Sequence, residues 1–337
     1  MNLEERIMTC VALGKRIQND PEALRIPIQQ AVIQNSWFDA LSVQTAIHHI
    51  ATQFLDENNL RDWIKRYQVK EQTAKKVGII MAGNIPLVGF HDLLSVFIAG
   101  HISVIKLAQK DQVLLPAFLE IMGKSDERVA SYFEIVEKLH DIDAVLATGS
   151  NNSARYFEYY FGKYPHIIRK NRVGVAILNG DETDDELLAL GSDVFLYFGL
   201  GCRNVSSLFV PTGYDFTRLL SLWNQFSAVM DNNSYHNNYD YNLAIYIMGK
   251  MNYLVNKAIF LVEQNTLTSR IAAINYQYYD HIPTLIDQLI LLQDDIQVIV
   301  STMDLYPLTT FKPGKAQAPA LNDYADGVDT FQFLTTL

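Results

Sequence analysis

Only two cysteines occur in the 337 residues, Cys10 and Cys202, and their surroundings differ. Cys202 lies in Gly199-Leu-Gly-Cys-Arg-Asn204. Glycines there let the backbone bend around a reacting carbonyl, and neighbouring amides can aim at one oxygen. Arg203 beside the thiol favours the thiolate. The pattern suits a nucleophilic thiol. A lone cysteine in a glycine-rich turn is also a common small core filler, so the residues elsewhere must separate the two readings.

Four further groups bear on that choice. Asn84, in the loop Gly83-Asn-Ile-Pro86, could donate its amide to a developing oxyanion; an ordinary turn asparagine is the plainer reading. Lys106 ends an apolar run and could reach a ribose or phosphate, or be a solvated charge. Thr148-Gly149-Ser150 opens a helical stretch whose first amides could meet a pyrophosphate, although it is neither a GxGxxG fingerprint nor a P-loop. Arg155, Lys163, Arg169, Lys170 and Arg172 face a single acid, Glu158, in an otherwise acidic chain. Arg169, Lys170 and Arg172 are therefore candidates for a phosphate, with a solvated face as the alternative. The histidines predict no metal, because His48 and His49 are adjacent and none has a spaced partner. His91-Asp92 reads as a helix cap, with proton transfer by His91 as the second reading.

Positioning these groups requires an alternation of strands and helices. Residues 1 to about 70 read as helical, with Trp37, Leu41, Ala46, Ile50 and Phe54 on one face. Val77–Ala82 is predicted as a strand, Phe90–Ala99 as a helix stopped by Gly100, and Ile102–Lys106 as a parallel strand. The alternation continues with a strand at Asp143–Ala147, a helix at Asn152–Phe161 and a strand at Val173–Leu178. Thr183-Asp-Asp-Glu186 then makes a capping box for a helix to about Phe198. Strands at Val205–Val210, Ala258–Val262 and Ile296–Val300 and a helix at Asp215–Met230 follow. Asp231–Tyr241 reads as a loop, and the tail from Phe311 as an extended arm. The fold class is α/β and doubly wound.

Composition narrows the functions. Charged residues make up 19% and hydrophobic residues 49%, as in a globular enzyme, and the formal net charge of -10 disfavours nucleic acid and anionic membranes. No apolar run reaches the roughly 18 residues of a membrane span, and Met1–Gln18 lacks the layout of a signal peptide. Two unrelated cysteines predict a reducing, cytoplasmic compartment.

In order along the chain, these motifs resemble the aldehyde dehydrogenase superfamily. Gly83-Asn84-Ile-Pro86, Ile98 to Lys106, Thr148-Gly-Ser150 and Gly199-Leu-Gly-Cys202 follow its Asn-Phe-Pro, Val-Lys-Pro, Thr-Gly-Ser and Gly-Gln-x-Cys sequence. Within it, the LuxC-type acyl-CoA reductases are most similar. Ile85–Asp92, Ala147–Asn152, Tyr197–Val205 and Asp323-Tyr-Ala-Asp-Gly327 carry that likeness, which spans residue 77 to the end. The resemblance implies an acylated Cys202, Asn84 as oxyanion donor, Lys106 on a ribose, and Gly149 and Ser150 near the cofactor phosphates. Gln109, where NAD enzymes of the superfamily often carry an acid, leans towards NADPH over NADH, because a neutral site repels a 2′-phosphate less. Hydrolytic members activate water with the glutamate of Glu-Leu-Gly-Gly. Ile168-Arg-Lys-Asn-Arg-Val173 stands in its place without an acid. Thioester exchange with coenzyme A needs no such base.

The expected fold is thus aldehyde dehydrogenase-like. A helical segment 1–76 joins a Rossmann-type NAD(P)-binding domain at 77–172, followed by a catalytic domain at 173–308 and an arm at 309–337. The expected activity is NADPH- or NADH-dependent reduction of an acyl-CoA, or another acyl thioester, to aldehyde through Cys202. The alternatives are an acyl-transfer component that reduces only beside an acyl-transfer or ligase partner, and a non-catalytic member of the fold. The resemblance further implies a homodimer.

Overall fold

The structure, a computed structural model, describes residues 1–69 and 73–337. The chain divides into two compact units, one of Met1–Asn171 with Ala320–Leu337, the other of Arg172–Pro319.

In the first unit, short apolar runs make a parallel sheet buried on both faces, as crossover helices require. The strands are β1 (Lys76–Ile80), β2 (Ile102–Lys106), β3 (Phe133–Ile135), β4 (Ala144–Thr148) and β5 (His166–Arg169). Their order is β3-β2-β1-β4-β5, all parallel. Four helices precede the sheet: α1 (Leu3–Asn19), α2 (Arg25–Gln34), α3 (Ala40–His49) and α4 (Glu57–Ile64). Three more, α5 (Phe90–Ala99), α6 (Leu114–Ser125) and α7 (Asn151–Phe161), are crossovers. Asn2 and Glu5 form a capping box on α1, whose Ile7, Cys10, Val11, Leu13 and Ile17 are buried. The expected face from Trp37 to Phe54 is corrected, because α3 starts only at Ala40 behind the Asp39 cap and leaves Leu41 70% exposed. The buried stripe runs through Val43, Ala46, Ile47 and Ile50 instead.

The second unit holds β6 (Val173–Ile177), β7 (Val205–Pro211), β8 (Leu254–Val255), β9 (Phe260–Glu263), β10 (Ala273–Tyr279), β11 (Ile296–Val300) and β12 (Thr310–Phe311). Their order is β12-β11-β6-β7-β10-β9-β8, parallel except for the β8–β9 pair. The helices are α8 (Asp184–Phe195), α9 (Thr217–Leu222), α10 (Asn233–Met248) and α11 (Ile282–Leu291). The Thr183/Glu186 capping box is present, but α8 ends at Phe195 rather than Phe198. The helix expected over 215–230 is α9 followed by 3-10 turns over Trp223–Asp231. The loop expected over 231–241 is a helix. Asn232 accepts from the Ser234 and Tyr235 amides, and Tyr235, Asn242 and Tyr246 are buried along α10. Asparagine and tyrosine conceal that amphipathic face from an aliphatic count.

Residues 320–337 also depart from the extended arm. They return to the first unit as a turn and α12 (Thr330–Thr335), with Phe331 and Leu334 fully buried. Trp63 donates its indole N–H to the Tyr324 hydroxyl (2.7 Å). The Tyr67 hydroxyl lies 2.7 Å from that of Tyr324 and 2.8 Å from Asp329. One assignment satisfies every donor: indole to Tyr324, Tyr324 to Tyr67, Tyr67 to carboxylate.

Candidate active site

Parallel α/β sheets offer their carboxyl edge to ligands where strand order reverses. In the first unit that point is β1, flanked by β2 and β4. Ile80 is level with Lys106 on one side, and Ala147 on the other. Asn84 is exposed on the loop leaving β1, Lys106 is exposed at the end of β2, and Gln109 is exposed just beyond it. Gly149 and Ser150 follow β4, so the sheet brings these five candidates to one edge.

The edge is held from beneath. Asp111, buried, accepts from the Leu87 amide at 2.8 Å, and Asn35 donates to the Lys110 carbonyl at 3.2 Å. Burial pushes the Asp111 carboxyl up to about 6, against the opposing pull of the Leu87 and Leu114 amides. Ser150 caps α7 by accepting from the Ser153 amide at 3.2 Å. A Cβ on Gly149 would fall 2.8 Å from the Phe157 ring and 2.9 Å from Ser153, so the turn packs tightly only as glycine. The Gly149 N–H donates to the Arg169 carbonyl at 3.4 Å. What this turn presents to an anion is therefore the first-turn amides of α7, with the favourable helix end behind them.

Cys202 belongs to the second unit, half-buried in the turn that enters β7. Beyond α8 the chain turns left-handed at three successive residues, Tyr197 (φ 56°), Phe198 (φ 57°) and Gly199 (φ 75°). Each non-glycine residue there costs about 1–2 kcal/mol, and such strain persists only when the surroundings hold it. The buried Asn204 side chain does so. Asn204 donates to the carbonyls of Asp193 (2.9 Å) and Leu196 (2.8 Å) and accepts from the Gly201 amide (2.8 Å). The Asp193 carboxylate accepts from the amides of Gly314 and Ala316. Burial raises it to about 6 although those amides and the Arg203 charge pull the other way. Arg203, expected to act on the thiol, donates to the Ala316 carbonyl and lies 4.8 Å from the Phe311 ring centre. Cys10 is fully enclosed, and burial raises its thiol pKa far above the ordinary value.

Three expectations need correction. Arg169 is buried and bidentate to Asp92, with a 2.9 Å bond to Oδ1, and it donates to Thr330 at 2.7 Å. Its charge is spent inside the protein, not on a phosphate, and Asp92 is its partner rather than a helix cap. Arg172 donates to the carbonyls of Gln293 and Ile296, whereas Lys170 is exposed. His91 donates its Nε2–H to the Leu321 carbonyl at 2.9 Å, among the rings of Phe54, Trp63 and Tyr324. Burial lowers its pKa, and its Nε2 proton is committed to that carbonyl.

Asp193, Asn204 and Asp111 carry no role in the sequence reading. Asp193 did leave a signal: it falls on the apolar stripe of α8 made by Leu187, Leu190 and Val194, where an acid needs buried partners. Asn204 left none, because its partners are backbone groups.

The fold is α/β and aldehyde dehydrogenase-like, with a Rossmann-like parallel unit, a mixed-sheet unit and a helical N-terminus. The chain is similar to an indole-3-acetaldehyde dehydrogenase solved with NAD+, with a TM-score of 0.69 at 13% identity, over 94% of this chain and 74% of that one. It is similar to an NAD-dependent aldehyde dehydrogenase from Sinorhizobium meliloti (TM-score 0.67, 12% identity, 89% and 70% covered). A glyceraldehyde-3-phosphate dehydrogenase from Methanocaldococcus jannaschii, complexed with NADP, gives a TM-score of 0.64 at 12% identity, with 89% and 76% covered. No protein-family model matches the chain, and no curated protein matches it by sequence. Among the described residues no helix is long and apolar enough to cross a membrane.

Proposed function

We propose that this protein is an NAD(P)H-dependent oxidoreductase that accepts an acyl group on Cys202 from a coenzyme A thioester and releases it as an aldehyde. The observation that carries the reading is the Cys202 turn itself, a half-buried thiol three residues beyond a strained left-handed segment, with both tied together by the buried Asn204 side chain. Solved structures of the same fold hold NAD+ or NADP, which supports a nicotinamide cofactor here. The residues at the carboxyl edge of the first unit suit one: exposed Lys106 and Gln109 for a ribose, and the α7 amides behind Gly149 and Ser150 for phosphates. When bound, the reduced nicotinamide supplies hydride.

In the first step the Cys202 thiolate attacks the thioester carbonyl. The new carbon–sulfur bond replaces the bond to coenzyme A, which leaves as its thiolate. Asn84 is assigned the oxyanion donor through the superfamily resemblance, and the Cys202 turn contributes backbone amides. The enzyme thioester then gains a hydride at carbon and a proton at the departing sulfur, giving aldehyde and free Cys202. No acid stands at Ile168–Val173 to activate water, which supports exchange with a thiol over hydrolysis.

The test is intact mass spectrometry with acyl-CoAs of six, ten and fourteen carbons. An acyl adduct on Cys202 that added NADPH discharges as aldehyde supports the reading, and Cys202→Ala is expected to lose turnover by on the order of 10³-fold or more. Wild-type rates in Cys202→Ala would end it. An adduct that neither NADPH nor NADH ever discharges would instead identify an acyl-transfer component.

A further inference from the structure

We propose that Asn204 is the positioning residue for Cys202, holding the thiol turn preformed on the end of α8; the inference rests on the reading of Cys202 as the acylated thiol. Asn204 is 2% exposed, and its side chain reaches two separate pieces of backbone. Its Nδ2 donates to the carbonyls of Asp193, Leu196 and, at 3.3 Å, Val194, the last carbonyls before the left-handed segment. Its Oδ1 accepts from the Gly201 amide, one residue before the thiol. Its own amide donates to the Gly201 carbonyl at 3.0 Å, closing the turn, and its carbonyl accepts from the Gly174 amide at 3.0 Å. One residue therefore ties the Cys202 turn to α8 on one side and to β6 on the other.

The β6 side has its own requirement. A Cβ on Gly174 would fall 2.7 Å from the Asn204 carbonyl oxygen and 2.8 Å from that of Arg203. Those are backbone atoms of the turn, so a larger residue must push the turn itself. Reaction at a thiol falls steeply with misplacement, roughly 10²-fold for about 1 Å. Aspartate at position 204 keeps the acceptor for Gly201 but faces three carbonyl oxygens without a donor amide. It thus separates filling the space from tying the turn.

The experiment compares wild type, Asn204→Asp, Gly174→Ala and a matched control, Asn242→Asp. Asn242 is a buried amide of α10 that donates to the Ile271 carbonyl. Labelling of Cys202 by iodoacetamide across pH and acylation by decanoyl-CoA are followed by intact mass, with melting temperatures alongside. Expected are 10- to 100-fold slower labelling and acylation in Asn204→Asp and Gly174→Ala, a moved pH midpoint for labelling, and kcat reduced with KM near wild type. The control loses stability but labels at the wild-type rate. Labelling within two-fold of wild type with an unmoved pH midpoint, in whichever of the two variants folds, overturns the proposal. Absence of any acyl adduct on wild-type Cys202 would instead remove the functional reading, and iodoacetamide labelling would still report on the turn.

Discussion

Replacing Arg169 with methionine distinguishes a buried structural charge from a phosphate ligand. The guanidinium is 5% exposed and the Asp92 carboxylate 9%, so removing one partner strands the other out of water. Stranding a charge from a buried pair typically costs about 3–5 kcal/mol. Asp92 lies in the first turn of α5, where the helix end supports a carboxylate by about 0.3–1 kcal/mol. Thr330 also loses its 2.7 Å partner, which loosens the start of α12. The expected net loss is about 3 kcal/mol, or roughly 6–12 °C for a unit of this size. Urea and thermal unfolding followed by circular dichroism, with Asp92→Leu and the Asp92→Leu/Arg169→Met pair completing a cycle, measure it. The double variant is expected to recover much of the loss, because neither charge is left alone. Stability within 0.5 kcal/mol of wild type, together with weakened NADPH binding, would refute the structural assignment and restore Arg169 as a phosphate ligand.

Other outcomes follow from the same geometry. Tyr324→Phe leaves the Trp63 indole N–H without its acceptor and is expected to cost about 1–3 kcal/mol, read by urea unfolding. Asp111 and Asp193 are both raised from 3.8 to about 6, so the folded protein binds protons there that the unfolded chain has released. Their contribution to stability is fully present below about pH 4 and is lost as pH rises through about 6, by roughly 3 kcal/mol at most for each. Asp111→Asn and Asp193→Asn should each flatten the stability profile between pH 4 and 6; an unchanged slope refutes the shift concerned. Gly149→Ala forces Phe157 and Ser153 apart at the start of α7, and should weaken NADPH binding at least ten-fold by fluorescence titration.

Much of this architecture was legible from local pattern. Helix Phe90–Ala99 and strands Ile102–Lys106 and Ile296–Val300 have the predicted bounds, because apolar runs bounded on one side by a glycine or a charge leave little choice. The capping box at Thr183 and Glu186 was legible for the same reason, since its partners lie three residues apart. Strands β3, β5 and β10 were missed: Phe133-Glu-Ile135 and His166-Ile-Ile-Arg169 are short, and five of the seven residues of Ala273–Tyr279 are tyrosine, asparagine or glutamine. Their pairing partners are distant in sequence, so tertiary contact overrides weak local preference.

The site divides along the same line. Sequence alone singled out Cys202, because a cysteine among glycines and its order behind Asn84, Lys106 and Gly149 are properties of the chain. It also determined that no acid stands at Ile168–Val173. Only the tertiary structure showed where the buried polar groups find their partners. Asn204 binds backbone carbonyls, Asp193 binds amides more than a hundred residues away, and Arg169 turns inward to Asp92. A buried hydrogen-bonding group is satisfied by whatever donor or acceptor the fold delivers to it, and backbone partners leave no mark in residue type.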